Sequence, residues 1–160
     1  MLKFKMANYR RIFLDGYSYY LTIVTHQRNP ILINNIELLR ESFRVSKQQY
    51  KYKIEAIVVL PDHIHLILRP KVAKEYPHII RTIKQYFSKH CDSSYYEHLE
   101  QSNSRWRAGY RAVWQKKYYE HTIRNEKDFL EKVIYMQNNP IKHGLVDDGR
   151  EWQYSSFFKG

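Results

Sequence analysis

Two apolar runs joined by a Pro-Asp pair, residues 54–60 and 63–69, constrain this chain more than any other segment. The first is rich in β-branched residues and reads as a strand. Pro61-Asp62 makes a tight turn into the second strand. That second run begins His63-Ile64-His65-Leu66-Ile67. Alternate residues of an extended strand share a face, so His63 and His65 project side by side while Ile64 and Leu66 turn into a core. Two imidazoles on one strand face, beside a buried apolar layer, can form half of a metal site. A His-x-His pair on a strand is more commonly two partly exposed polar residues, so the spacing alone does not establish a site.

The other elements follow from periodicity. Residues 17–26 are rich in Tyr, Thr, Ile and Val and predict a strand. Ile36, Leu39, Phe43 and Tyr50 recur at roughly helical spacing within residues 34–52. Residues 77–90 predict a helix with Pro77 in its first turn and Ile79, Ile80, Ile83 and Phe87 on one face. Residues 92–104 are polar and predict a loop or a weak helix. A fourth strand is expected around Ala112-Val113-Trp114, and a helix over residues 126–139 that Pro140 stops. Gly144, Asp147-Asp148-Gly149 and Ser155-Ser156 mark a turn-rich tail. The first six elements run strand, helix, strand, strand, helix, strand. That order matches a ferredoxin-like α+β fold, an antiparallel sheet with helices packed on one face. No internal repeat or linker divides the chain, so a single domain over residues 1–160 is expected.

Charge narrows the partner. Lys and Arg number 27 against 16 Asp and Glu, a formal net charge of +11, which favours a polyanion, most often nucleic acid. Fifteen Tyr, seven Phe and three Trp accompany those charges. Single-stranded nucleic acid needs such a mixture, with cations along the backbone and flat rings for the bases. Only five glycines are present and none forms a phosphate-cradling loop, so a nucleotide-driven enzyme is disfavoured. Cys91 is the only cysteine, which excludes an internal disulfide and favours a reducing compartment. No signal peptide and no apolar run of membrane-spanning length can be read, so the expected location is cytoplasmic, with no membrane partner.

Tyr135 and Asn139 are four residues apart on the last helix and therefore share one face. If that face packs beside the His63–His65 strand, the Asn139 amide oxygen could complete a mixed N/O site suited to Mg²⁺ or Mn²⁺. Tyr135 would then stand next to the metal. A phenol is a weak nucleophile at neutral pH, and a metal compensates by polarising a phosphate oxygen. Attack by Tyr135 on DNA would leave a 5′-phosphotyrosine and a free 3′-OH, ready for rejoining without ATP. Two other readings remain open at this level. One is a non-catalytic single-stranded nucleic acid binder on the same fold. The other is a zinc hydrolase using His63 and His65, which lacks a strong third ligand. The remaining histidines, His143 among them, show no metal-ligand spacing and read as surface or local hydrogen-bonding residues.

Motifs in the right order resemble a known family. Leu60-Pro61-Asp62-His63-Ile64-His65 resembles the strand of HUH single-strand nucleases. Residues 113–121, Val-Trp-Gln-Lys-Lys-Tyr-Tyr-Glu-His, resemble the "WQ…YF(D/E)H" stretch of the IS200-type Y1 transposases. Residues 135–146 resemble their "YI..NPVK.GLV" signature, and Trp152-Gln153-Tyr154-Ser155-Ser156 resembles their "W.(Y/W)SS" ending. The chain is most similar to the REP-associated tyrosine branch. That resemblance implies an HUH nuclease fold with a C-terminal catalytic helix, and Tyr135 as nucleophile. It implies His63, His65 and Asn139 as ligands of Mg²⁺ or Mn²⁺. It implies cleavage beside a DNA hairpin, by a monomer or a homodimer. Tyr118 and Tyr119 are the competing nucleophiles, off the Asn139 helix. Candidate DNA contacts are Tyr9, Arg10 and Arg11 for the flanking strand, with Trp114, Gln115, Lys116, Lys117 and Arg124.

Overall fold

The computed structural model describes residues 15–160, so Tyr9, Arg10 and Arg11 lie outside the described residues. Strands β1 (Ser18–Val24), β2 (Tyr52–Val59), β3 (His63–Pro70) and β4 (Tyr119–Ile123) form one antiparallel sheet in the order β2-β3-β1-β4. Helices α1 (Ile36–Gln49) and α2 (Tyr76–His90) supply the two crossovers. A short α3 (Asn103–Arg107) precedes β4, and α4 (Glu126–Lys142) follows it. This is the expected α+β architecture with its ferredoxin-like strand order.

The two central strands are buried on both faces, and their period of two sorts the core. Tyr19, Leu21 and Ile23 of β1 and Ile64, Leu66 and Leu68 of β3 meet Leu39 and Phe43 of α1 and the Ile79, Ile80, Ile83, Phe87 stripe of α2. Burial of each such side chain contributes about 1.5–3 kcal/mol, more than helix propensities supply, so tertiary packing holds α1 and α2. On the opposite face, Tyr20, Ile67 and Val58 meet Met136, Val133 and Phe129 of α4. The even-numbered residues of β3 thus serve the α1–α2 core. Its odd-numbered residues, His63 and His65, face α4.

Two sequence expectations are corrected. The fourth strand is Tyr119–Ile123, not the stretch around Val113. Trp114 makes only a single bridge to Thr25, and Val113 sits in the core at the end of β1. Burial of apolar residues there comes from plugging the sheet's end, which local pattern does not distinguish from a strand. The second correction concerns Pro140, which lies inside α4 rather than stopping it. A proline so near a helix C-terminus forfeits one hydrogen bond of the last turns. The helix runs instead to Lys142, and Gly144 just beyond it, with a φ of 70°, lets the chain turn left-handed while His143 N–H donates to Asn139 O at 3.1 Å.

The tail seals the β2 edge. Trp152 Nε1–H donates to Val59 O at 2.8 Å, and Ser156 N–H to Ile57 O at 2.9 Å. The aromatic and serine residues of the ending are therefore structural. Gly149 in this tail lies against α4 so closely that an added Cβ would fall 2.0 Å from the Gln137 carbonyl oxygen. Gly149→Ala should destabilise the fold by roughly 1–3 kcal/mol, read as a lowered melting temperature. An unchanged melting curve would contradict this packing.

Candidate active site

β3 begins at His63 immediately after the Pro61-Asp62 turn, and each histidine is 4% exposed. Their rings lie 4.8 Å apart, centroid to centroid. Across the ladder Thr22 is the register partner of His65, and Tyr20 lies two residues along the same face of β1. Both hydroxyls reach His65 Nδ1, Tyr20 Oη at 2.8 Å and Thr22 Oγ1 at 2.9 Å. A hydroxyl accepts as readily as it donates. With Nδ1–H donating to one of them, His65 Nε2 is left as a bare lone pair, and Nε2 is buried without a hydrogen-bond partner among the described residues. His63 Nδ1 lies 2.6 Å from the Asp62 carboxylate, which fixes its proton there. Its Nε2 then presents a lone pair to the Asn139 amide oxygen, 3.3 Å away. Asn139 is itself 1% exposed.

His63 Nε2 and the Asn139 amide oxygen thus meet between β3 and α4, and His65, its Nε2 unpartnered among the described residues, lies beside them with its ring 4.8 Å from that of His63. That donor set suits a divalent cation: two imidazole nitrogens and one amide oxygen, each imidazole oriented by a partner on its far side. Among the described residues no group of three His, Cys, Asp or Glu side chains could hold a metal. The arrangement therefore lacks the strong third ligand of a zinc hydrolase.

Tyr135 stands one turn before Asn139. Its ring is 5.5 Å from that of His65 and it is 43% exposed. The other tyrosines near the sheet differ. Tyr119 lies on β4, its phenol ionisation pushed up first by burial and then by Asp128. Tyr118 packs against the α1–α2 core.

The electrostatics keep His65 uncharged. His65 is held down to about 3, by burial first and then by the charge of His63 and His143. Asp62 stays below the usual carboxylate range. Burial pushes it up, but hydrogen bonding and charge from His63, with Arg28, outweigh burial. Arg28 reaches Asp62 at 3.5 Å from a left-handed backbone, φ 51°, a conformation that favours glycine. The sign of the His65 shift sets a pH dependence. The unfolded chain takes up a proton near pH 6.5 and the folded chain only near 3. Stability from this group is complete above 6.5 and is lost as pH falls toward 3. Urea denaturation in the presence of a chelator should show this fall, on the order of 3–5 kcal/mol at most. A His65→Gln protein should show a shallower one; equal slopes would remove His65 as the cause.

Five neighbours of the site are not evident from the sequence pattern. Tyr20 and Thr22 alternate along β1, a visible signal, but which strand they face depends on pairing. Asp62 precedes His63 directly. Lys142 Nζ lies 5.6 Å over the Tyr135 ring, seven residues on along the same helix face. His143, read from sequence as surface or local, has its ring 5.1 Å from His63. Continuing the helix past Pro140 would have placed both beside the site. Of the candidate DNA contacts, Lys116, Lys117 and Arg124 are exposed and Gln115 is half-buried. Trp114 is corrected: at 4% exposed, with its ring 5.2 Å from Phe87, it belongs to the core and offers no face for base stacking. No described helix is long and apolar enough to cross a membrane.

Comparison with known proteins gives a consistent result. The family model "Transposase IS200 like" matches residues 14–139, a span that includes His63, His65, Tyr135 and Asn139. A Haemophilus influenzae protein named as a REP-associated tyrosine transposase is 33% identical over 96% of this chain and 87% of its own length. The REP-associated tyrosine transposase of Escherichia coli K12 is 30% identical over 96% of this chain and 84% of its own. A solved structure of a REP-associated tyrosine transposase bound to a REP hairpin superposes with a TM-score of 0.78. It is 30% identical and covers 95% of this chain and 83% of that one.

Proposed function

The chain belongs to the IS200-like transposases and is a DNA-cleaving enzyme of that kind, and on that premise we propose that it cuts and rejoins single-stranded DNA beside a hairpin through a 5′-phosphotyrosine at Tyr135. The observation that carries this reading is the grouping of the buried His63, His65 and Asn139, His63 Nε2 lying 3.3 Å from the Asn139 amide oxygen and His65 Nε2 unpartnered among the described residues, with an exposed tyrosine one helical turn away. The family generally uses a divalent metal; here His63, His65 and Asn139 would hold Mg²⁺ or Mn²⁺. When bound, the ion would polarise phosphate oxygens and orient the scissile bond.

The protein's own groups do the rest. Asp62 keeps the His63 proton on Nδ1, and Tyr20 and Thr22 hold that of His65, so both Nε2 atoms face the site unprotonated. Tyr135 Oη attacks phosphorus and loses its proton. The bond between phosphorus and the 3′ oxygen breaks, and that oxygen leaves as a hydroxyl after taking up a proton. Lys142, over the Tyr135 ring, lies where phosphate charge arrives. The phosphotyrosine conserves the energy of the broken bond, so the reverse attack by a second 3′-OH rejoins a strand. A relative was solved bound to a REP hairpin, and a hairpin with a single-stranded flank is the substrate class proposed here.

The test is a denaturing gel of purified protein with end-labelled hairpin DNA, in Mg²⁺ or Mn²⁺ and in a chelator. A slow-migrating adduct that needs the metal is expected. Cleavage with water-derived ends and no adduct would overturn the tyrosine chemistry. Binding without any cleavage across a panel of hairpins would favour a DNA-binding module.

A further inference from the structure

A groove of about 880 Å³ runs between α2 and the segment that contains α3, on the side of the sheet away from α4. Arg81, Lys84, Lys89, Arg105, Arg111 and Lys116 line it, and no described Asp or Glu does. Backbone carbonyls hold three of these cations in place. Lys84 Nζ donates to Gln115 O at 2.8 Å, Arg105 Nη2 to Trp114 O at 2.8 Å, and Arg111 Nη1 to Ser88 O and Lys89 O. A carbonyl orients the Arg105 and Arg111 guanidiniums without cancelling their charge. Two more donors of the lining are orphaned: Trp114 Nε1 and Arg105 Nε are shut off from water and have no acceptor among the described residues. A lining of cations and unpaired donors with no facing carboxylate suits an oxygen-rich anion. Arg81 and Lys89 are eight residues apart on α2, about 12 Å along the helix, further than one phosphate group extends. Trp106, 73% exposed, and Tyr110, 50% exposed, offer open rings along the same segment.

We propose that this groove grips several consecutive phosphates of the substrate DNA, as a second contact on the face of the sheet opposite Tyr135. The assignment rests on the reading of the chain as a DNA-cleaving enzyme. Each phosphate neutralised releases counterions, so the groove contributes a salt-dependent, sequence-independent share of affinity. The exposed rings stack on unpaired bases.

The test is fluorescence anisotropy with a fluorescein-labelled DNA hairpin bearing a single-stranded 5′ flank, titrated at several salt concentrations. An Arg81→Gln, Lys89→Gln, Lys116→Gln triple variant should bind about tenfold or more weakly. Its slope of log affinity against log salt should fall by roughly 2–3, near 0.9 for each phosphate no longer neutralised. A control triple, Lys51→Gln, Lys53→Gln, Lys71→Gln, removes the same charge elsewhere and should move both quantities far less. Unchanged affinity and slope in a groove variant with a normal melting curve would overturn the proposal. So would equal losses in the two triples, which would reduce the effect to net charge. The two readings fail separately. A wild-type protein that forms no adduct, beside a groove variant that binds DNA poorly, removes the cleavage chemistry and keeps the groove. An active wild type beside an unaffected groove variant does the reverse.

Discussion

Tyr135→Phe should abolish the covalent protein–DNA adduct and leave hairpin binding intact. The substitution removes one oxygen from a side chain that is 43% exposed, so it leaves no buried polar group unpaired and no cavity in the core. Its contacts with His65 and Lys142 involve the ring, which phenylalanine keeps. The loss is therefore one of chemistry alone. Removal of a nucleophile costs on the order of 10³-fold or more in rate. Denaturing gels measure the adduct and anisotropy measures the binding. An adduct that persists in this variant would move the nucleophile elsewhere, and Tyr118 and Tyr119 would have to be tested in turn. Their positions argue against them, since one packs on the core and the other has its phenol ionisation pushed up by burial.

Loss of the histidine pair is the second large effect. His63→Ala should lower cleavage by on the order of 10³-fold and weaken Mn²⁺ binding measured by calorimetry, with hairpin binding retained. It is the cleaner of the two single variants. The Asp62 carboxylate it abandons is partly exposed and still faces Arg28 at 3.5 Å. His65→Ala has the same expected effect on cleavage. It also takes from the buried Tyr20 hydroxyl, and from the half-buried Thr22 Oγ1, the ring nitrogen they share, at roughly 1–3 kcal/mol for the buried group. Its melting temperature should therefore fall further than that of His63→Ala. Tyr20→Phe separates orientation from ligation, because it keeps every proposed ligand and removes one hydrogen bond to His65. A loss of metal affinity of about tenfold is expected. Cleavage by His63→Ala at the wild-type rate would remove His63 as a metal ligand and overturn the metal site proposed here.

Much of the site was legible in the chain because it depends on short-range geometry. The Pro61-Asp62 turn and the alternation through His63, Ile64 and His65 fix which side chains share a strand face. The spacing of Tyr135 and Asn139 fixes their shared helix face. Neither requires knowledge of what lies beyond the element. The errors share a cause. Val113 and Trp114 are apolar because they close the end of the sheet, and burial by tertiary plugging leaves the same local signature as a strand. Pro140 signals a helix stop, yet near the C-terminus it costs α4 little. The extra turn carries Lys142 and His143 to the site.

By itself, the sequence determined the strand and helix faces, the αβ order that yields a ferredoxin-like sheet, a strongly basic surface, and the family motifs. Period-two and near-3.6-residue repeats are local properties that any stretch of chain reveals. The tertiary structure alone decided that α4 covers the histidine face while α1 and α2 cover the other. It decided that β1 sets Tyr20 and Thr22 against His65, and that α2 and the α3 segment enclose a groove whose described lining holds no carboxylate. These pairings join residues tens of positions apart. They are chosen by which buried faces fit together when the core closes, a choice that no single segment encodes.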